Sequence, residues 1–147
     1  MKVLIATDGS EYGKAAVSAA AERPWPPGTN LRVLTVMERP AISYITGGER
    51  ELDLNYNQLA AEIRSSLEAI AIDAARSLER EGLTVSHIVK EGVAAEEIID
   101  EAKEWGADLI LLGTHGRHGI KRFILGSVAR IVATHAPCSV EVVRRGE

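Results

Sequence analysis

The chain has 147 residues, 46% of them hydrophobic and 26% charged, with a formal net charge of −4. That length supports a core burying roughly 70% of the unfolded surface. The composition is that of a globular protein rather than a disordered one, and the acidic balance offers no bulk attraction for nucleic acid or an acidic membrane.

A single cysteine, Cys138, excludes an internal disulfide and fits a reducing compartment. The apolar run after Met1 is too short for a signal peptide, and no stretch approaches the ~18 apolar residues of a membrane span. The expectation is one cytoplasmic domain over residues 1–147, with no nucleic-acid or membrane partner.

Lys2 to Thr7 is apolar on both faces, as a central strand of a covered sheet must be, and it stops at Asp8-Gly9-Ser10. Ser10 is a good N-cap for Glu11 to Glu22. Ala15, Ala16, Ala19 and Ala20 would let that helix sit close to a sheet, and Pro24, Pro26, Pro27 and Gly28 end it. Leu31 to Met37 predicts a second strand. Glu38 to Asn55 carries Pro40, Gly47 and Gly48 without a clear period and reads as a long loop. From about Asn57 to Glu81 the stripe Leu59, Ile63, Leu67, Ile70, Ala74 and Leu78 predicts a long helix, with Gly82 in the place of a C′ glycine.

Thr84 to Val89 alternates weakly and predicts a third strand. Ala94 to Trp105 predicts a helix with Ile98, Ile99, Ala102 and Trp105 on one side, ended by Gly106. Asp108 to Leu112 predicts a buried fourth strand. Val128, Ile131, Val132 and His135 fall at i, i+3, i+4 and i+7, the face of a helix starting near Ser127. Pro137 breaks the chain, and Ser139 to Val143 predicts a fifth strand. Strands and helices alternate throughout, which argues for an α/β fold with an open, doubly wound parallel sheet. Ligands in such sheets bind beyond the carboxyl ends of strands, where the strand order reverses.

Between the fourth strand and the last helix stands Gly113-Thr114-His115-Gly116-Arg117-His118-Gly119, followed after six residues by Gly126-Ser127-Val128. Glycines there let main-chain N–H groups turn toward a ligand with no Cβ in the way. A helix starting at Ser127 aims its positive dipole end into the same space. Main-chain donors and a helix N-terminus make an anion site, and phosphate is the commonest anion of that shape. The spacing is neither a Walker A loop nor G-x-G-x-x-G.

The pattern Gly113-x2-Gly116-x9-Gly126-Ser127 resembles the nucleotide-binding motif of the universal stress protein family. Ile5-Ala6-Thr7-Asp8-Gly9-Ser10 is similar to that family's opening strand and turn, and Ala136-Pro137-Cys138 to the lead into its last strand. The resemblance covers nearly the whole chain. It implies a three-layer sandwich around a five-stranded sheet in the order 3-2-1-4-5, similar to the adenine nucleotide alpha hydrolases, with ATP as ligand, with or without Mg²⁺. Carried over by position, Val36, Ala6 and Thr7 would hold the adenine. Asp8 would accept from ribose hydroxyls or face a metal ion. Gly113, Gly116, Gly126, Ser127 and Val128 would wrap the ribose and phosphates. Three positions depart from common usage in the family: His118 is bulky between the glycines, Arg130 replaces an acidic residue, and Ser139 replaces a proline.

Arg117, Lys121 and Arg122 are candidates to neutralise phosphate, and Arg117 is counted with the nucleotide-binding residues. His115 and His118 lack the further local ligands of a zinc site, and His135 with Cys138 reads as plain structure; no metal residue and no catalytic residue is assigned. Trp105 and Phe123 read as packing residues. The last strand is apolar yet at an edge in the implied order, so two copies are expected to pair through Ser139 to Val143. The function expected is ATP-dependent regulation of the stress-response type, with hydrolysis slow or absent. Alternatives are an enzyme of the same fold, of the ATP pyrophosphatase or nucleotidyltransferase type, and a dimeric interaction module that does not use a nucleotide.

Overall fold

The computed structural model describes residues 1–38, 49–116 and 125–146, with only the helical backbone given for residues 49–55. Nine elements follow in alternation: β1 (Lys2–Ala6), α1 (Glu11–Glu22), β2 (Asn30–Met37), α2 (Glu49–Leu78), β3 (Thr84–Glu91), α3 (Ala94–Trp105), β4 (Leu109–Gly113), α4 (Ser127–His135) and β5 (Ser139–Val143). All strand pairs are parallel, in the order β3-β2-β1-β4-β5. The order reverses between β1 and β4, where Ala6 stands level with both Leu34 and Leu112.

The central strands are apolar on both sides because both sides are covered. Val3, Ile5, Leu31, Val33 and Leu111 enter one core under α1 and α2, joined by Ala16, Ala20, Ala71 and Leu78. Leu4, Ala6, Leu34, Ile110 and Leu112 enter the other, under α3 and α4, with Ile98, Ala102, Ala129 and Val132. Each fully buried Leu, Ile or Val side chain contributes about 1.5–3 kcal/mol, so the sheet centre dominates the stability. The edge strand β5 has no fully buried residue.

Several expectations shift. The long helix begins at Glu49 rather than Asn57, so Glu49–Asn55 is helical and not loop; the rest of the expected loop, residues 39–48, lies outside the described residues. Helix α2 ends at Leu78, which leaves Gly82 in the following turn, at φ 83°, rather than at C′. Leu59 is exposed, and the buried line of α2 runs through Leu67, Ala71, Ala75 and Leu78. On α1 it is Gly13, Ala16, Val17 and Ala20 that are buried, while Ala15 and Ala19 are only half-buried. On α4 the buried residues are Ala129 and Val132, and Ile131 is exposed. In each helix the apolar set was wider than the face the sheet could cover.

Candidate functional site

At the carboxyl end of β1 the backbone turns on its own side chains. Gly9 N–H donates to Thr7 Oγ1 (3.2 Å), and Ser10 N–H donates to Asp8 Oδ1 (2.9 Å). Gly9 takes φ 77°, a left-handed conformation that suits glycine. Ser10 then caps α1, its Oγ accepting from Gly13 N–H at 3.2 Å. A Cβ on Gly13 would lie 2.5 Å from Thr7 Oγ1 and 2.9 Å from Asp8 Oδ1. Glycine is needed there so that α1 can start against the Thr7-Asp8 turn.

Gly113 ends β4. A Cβ on it would collide with the Tyr12 carbonyl in the first turn of α1, so this glycine answers a packing need. Farther on, Gly126 N–H donates to the Thr114 carbonyl (2.7 Å), closing the base of the segment between them. A Cβ on Gly126 would sit 2.8 Å from that same oxygen. Gly126 is the N-cap of α4 and brings no side-chain cap. By helix geometry the N–H groups of Ser127, Val128 and Ala129 have no intrahelical acceptor. They form the positive end of a helix that opens beyond the sheet.

The two crossovers meet. A Cβ on Gly116 would come within 3.3 Å of Asp8 Oδ2, so the carboxylate of the first crossover stands beside the second glycine of the fourth. Ala6 and Thr7 lie next to it, and Thr7 N–H prolongs the sheet by donating to the Leu34 carbonyl at 3.0 Å. Val36 is two residues farther along β2, paired with Lys90 and half-buried. The fold thus gathers Ala6, Thr7, Asp8, Gly113, Gly116, Gly126, Ser127 and Val128 around the point of strand reversal, with Val36 at its flank. Arg117, together with His118, Lys121, Arg122 and Phe123, lies outside the described residues. An open cleft of about 520 Å³ between α1 and the segment after β5 is lined by Lys14, Ser18, Glu22 and Arg145 among others; none of the expected ligand residues borders it.

The match to the Universal stress protein family model runs over residues 1–144. The chain belongs to the universal stress protein family. The universal stress protein YxiE of Bacillus subtilis is 30% identical over 145 residues, 97% of this chain and 98% of that protein. The solved structure of MJ0577 from Methanocaldococcus jannaschii superposes with a TM-score of 0.82 at 27% identity, covering 99% of this chain and 96% of that one. A universal stress protein family protein of Arabidopsis thaliana, solved with AMP bound, superposes at 0.66 with 18% identity, over 99% of this chain and 92% of that one. At that identity it speaks for the shared fold.

Two features of this universal stress protein escaped the sequence reading. Tyr12 lies against the fourth crossover: its ring is 5.0 Å from that of His115, tilted by 51°. The second is a charged cluster in the α3 layer. Glu101 is 3% exposed and receives Arg32 Nη1 at 2.6 Å and Lys90 Nζ at 2.7 Å. Burial alone pushes the Glu101 carboxyl up, but the hydrogen bonds and charges of Lys90 and Arg32 outweigh it and hold the group below the ordinary carboxylate range. The same contacts hold Lys90 above the usual lysine value. The Arg32 guanidinium also lies 4.3 Å from the Trp105 ring centroid. The available signal was Arg32 itself, a charge inside a largely apolar inner strand.

Proposed function

We propose that this universal stress protein binds ATP at the reversal point between β1 and β4 and acts as a regulatory switch, with hydrolysis slow or absent. The observation that carries the reading is the meeting of Asp8 with Gly116 beside the uncapped start of α4. A phosphate chain is an acceptor-only anion, suited to the α4 amides. Ribose hydroxyls are donors, suited to a carboxylate, which has lone pairs enough to serve Ser10 N–H and a sugar together. The base is assigned to the main chain of Val36, with Ala6 and Thr7 beside it, and Arg117 to the phosphates. AMP in the Arabidopsis protein of the same fold supports an adenine nucleotide.

Binding to the folded form alone stabilises it by about 2.7 kcal/mol when ligand exceeds Kd a hundredfold. Millimolar ATP, tried with and without Mg²⁺, is therefore expected to raise the melting temperature by several degrees, and guanine nucleotides to raise it less. No shift under either condition ends this reading. Steady release of AMP and pyrophosphate would instead favour an enzyme of the pyrophosphatase or nucleotidyltransferase type. The working unit in this reading is a cytoplasmic, single-domain protein that pairs with a second copy through β5.

A further inference from the structure

The turn after β4 lies between α1 and α4, and on the α1 side it is met by a residue that the nucleotide reading does not use. From the α1 side the Tyr12 carbonyl fills the space where Gly113 lacks a Cβ, and the Tyr12 ring leans on the His115 ring. Within the turn, His115 Nδ1 lies 3.0 Å from Thr114 Oγ1. On the α4 side, a Cβ at Gly126 would lie 3.2 Å from His115 Cα and 3.7 Å from its ring carbon Cδ2. The imidazole therefore lies between the first turn of α1 and the side of the α4 N-cap that Gly126 leaves open by having no Cβ. Thr114, which it touches, is the residue whose carbonyl takes the Gly126 N–H.

We propose that Tyr12 is a positioning residue for the phosphate cradle, acting through His115. The tyrosine ring fixes the imidazole, the imidazole fixes the Thr114–Gly126 clasp, and the clasp sets where the first amides of α4 stand relative to Asp8 and Gly116. An aromatic pair of this kind holds its geometry at low entropic cost, because each ring has only two side-chain torsions to lose. The inference rests on the nucleotide reading and makes it more specific. Tyr12 meets Gly113 and His115, on the crossover whose amides are assigned to the phosphates. Its removal therefore weakens phosphate binding and spares the nucleoside.

The test is calorimetric titration of ATP and of adenosine into wild type, Tyr12→Phe, Tyr12→Ala, His115→Ala and the Tyr12→Ala/His115→Ala double variant. The worth of one aromatic contact predicts that Tyr12→Ala weakens ATP by up to about tenfold while adenosine changes by less than about twofold. Tyr12→Phe, which keeps the ring, restores the ATP affinity. His115→Ala removes the same ring contact from the loop side and reproduces the split, so the inference stays testable even where Tyr12→Ala folds poorly. Since Tyr12 acts through His115, the double variant is no weaker than His115→Ala alone. Equal losses for ATP and adenosine, or strictly additive losses in the double variant, overturn the positioning role and leave nucleotide binding standing. A wild-type protein that binds neither ligand overturns both.

Discussion

Glu101 shows how a single side chain constrains this molecule. A carboxylate out of water is costly unless paired, and removing one member of such a group leaves the others uncompensated. Glu101→Gln keeps the shape but removes the buried charge that Arg32 and Lys90 share, leaving Arg32 with Ser86 and Trp105 and Lys90 with the exposed Glu104 at 3.3 Å. Those cations are 26% and 20% exposed, so the expected loss is about 2 kcal/mol, under the ~3–5 of wholly buried pairs. The sign with pH follows from the depressed carboxyl. Its stabilisation is complete above the ordinary carboxylate range and fades as pH falls through the lower value held in the folded state. Thermal melts at pH 7 and near pH 3 are expected to show a large gap between wild type and Glu101→Gln that narrows in acid. A gap that stays constant with pH rules the pairing out as its source. The glycines were readable at this scale as places without a Cβ, but the reasons for them were not. Only the packed structure reveals that Gly113 accommodates a carbonyl of α1, while Gly116 of the same crossover lies beside Asp8.

Among the elements, β5 is an edge strand, as β3 is at the opposite side of the sheet. It pairs only with β4, and Val140 and Val142 lean into the α3–α4 core. Two of the charges near its free edge are engaged elsewhere, while Arg144 is exposed. Glu141 is bound to Arg23 at 2.6 Å, which raises the arginine above its usual value, and Arg145 is paired with Glu11. An edge left open in this way favours pairing with another strand. Light scattering at micromolar concentration is expected to report a dimer, and Val142→Pro, which clashes with strand pairing, to report a monomer. A wild-type monomer at that concentration sinks the pairing. Helix faces were the least legible elements. The stripes on α2 and α4 had the right period, but Leu59 and Ile131 lie beyond what the sheet reaches. Periodicity gives a direction around a helix and not the width of the surface it meets.

The molecule as a whole was the most legible level. Regular alternation of apolar strands with amphipathic helices leaves few ways to cover both faces of a parallel sheet, and the glycine pattern carried the family and with it the strand order. Contacts between distant turns were not legible, because nothing in Tyr12 or His115 taken alone encodes that the first turn of α1 meets the turn after β4. Among the described residues, no helix is long and apolar enough to cross a membrane.

The two tryptophans sit on opposite sides of the sheet. Trp25 packs beside the α1–α2 core, its Nε1–H donating to the Ala20 carbonyl at 2.8 Å. Trp105 packs beside the α3–α4 core, with the ammonium of Lys2 5.6 Å from its ring centroid. Each layer therefore carries its own intrinsic fluorophore. Emission from Trp25→Phe reads one layer and emission from Trp105→Phe reads the other. In urea the two curves are expected to share a midpoint once each is referred to its own variant's stability by circular dichroism. A separation between them would mean that the halves of the sandwich let go in turn.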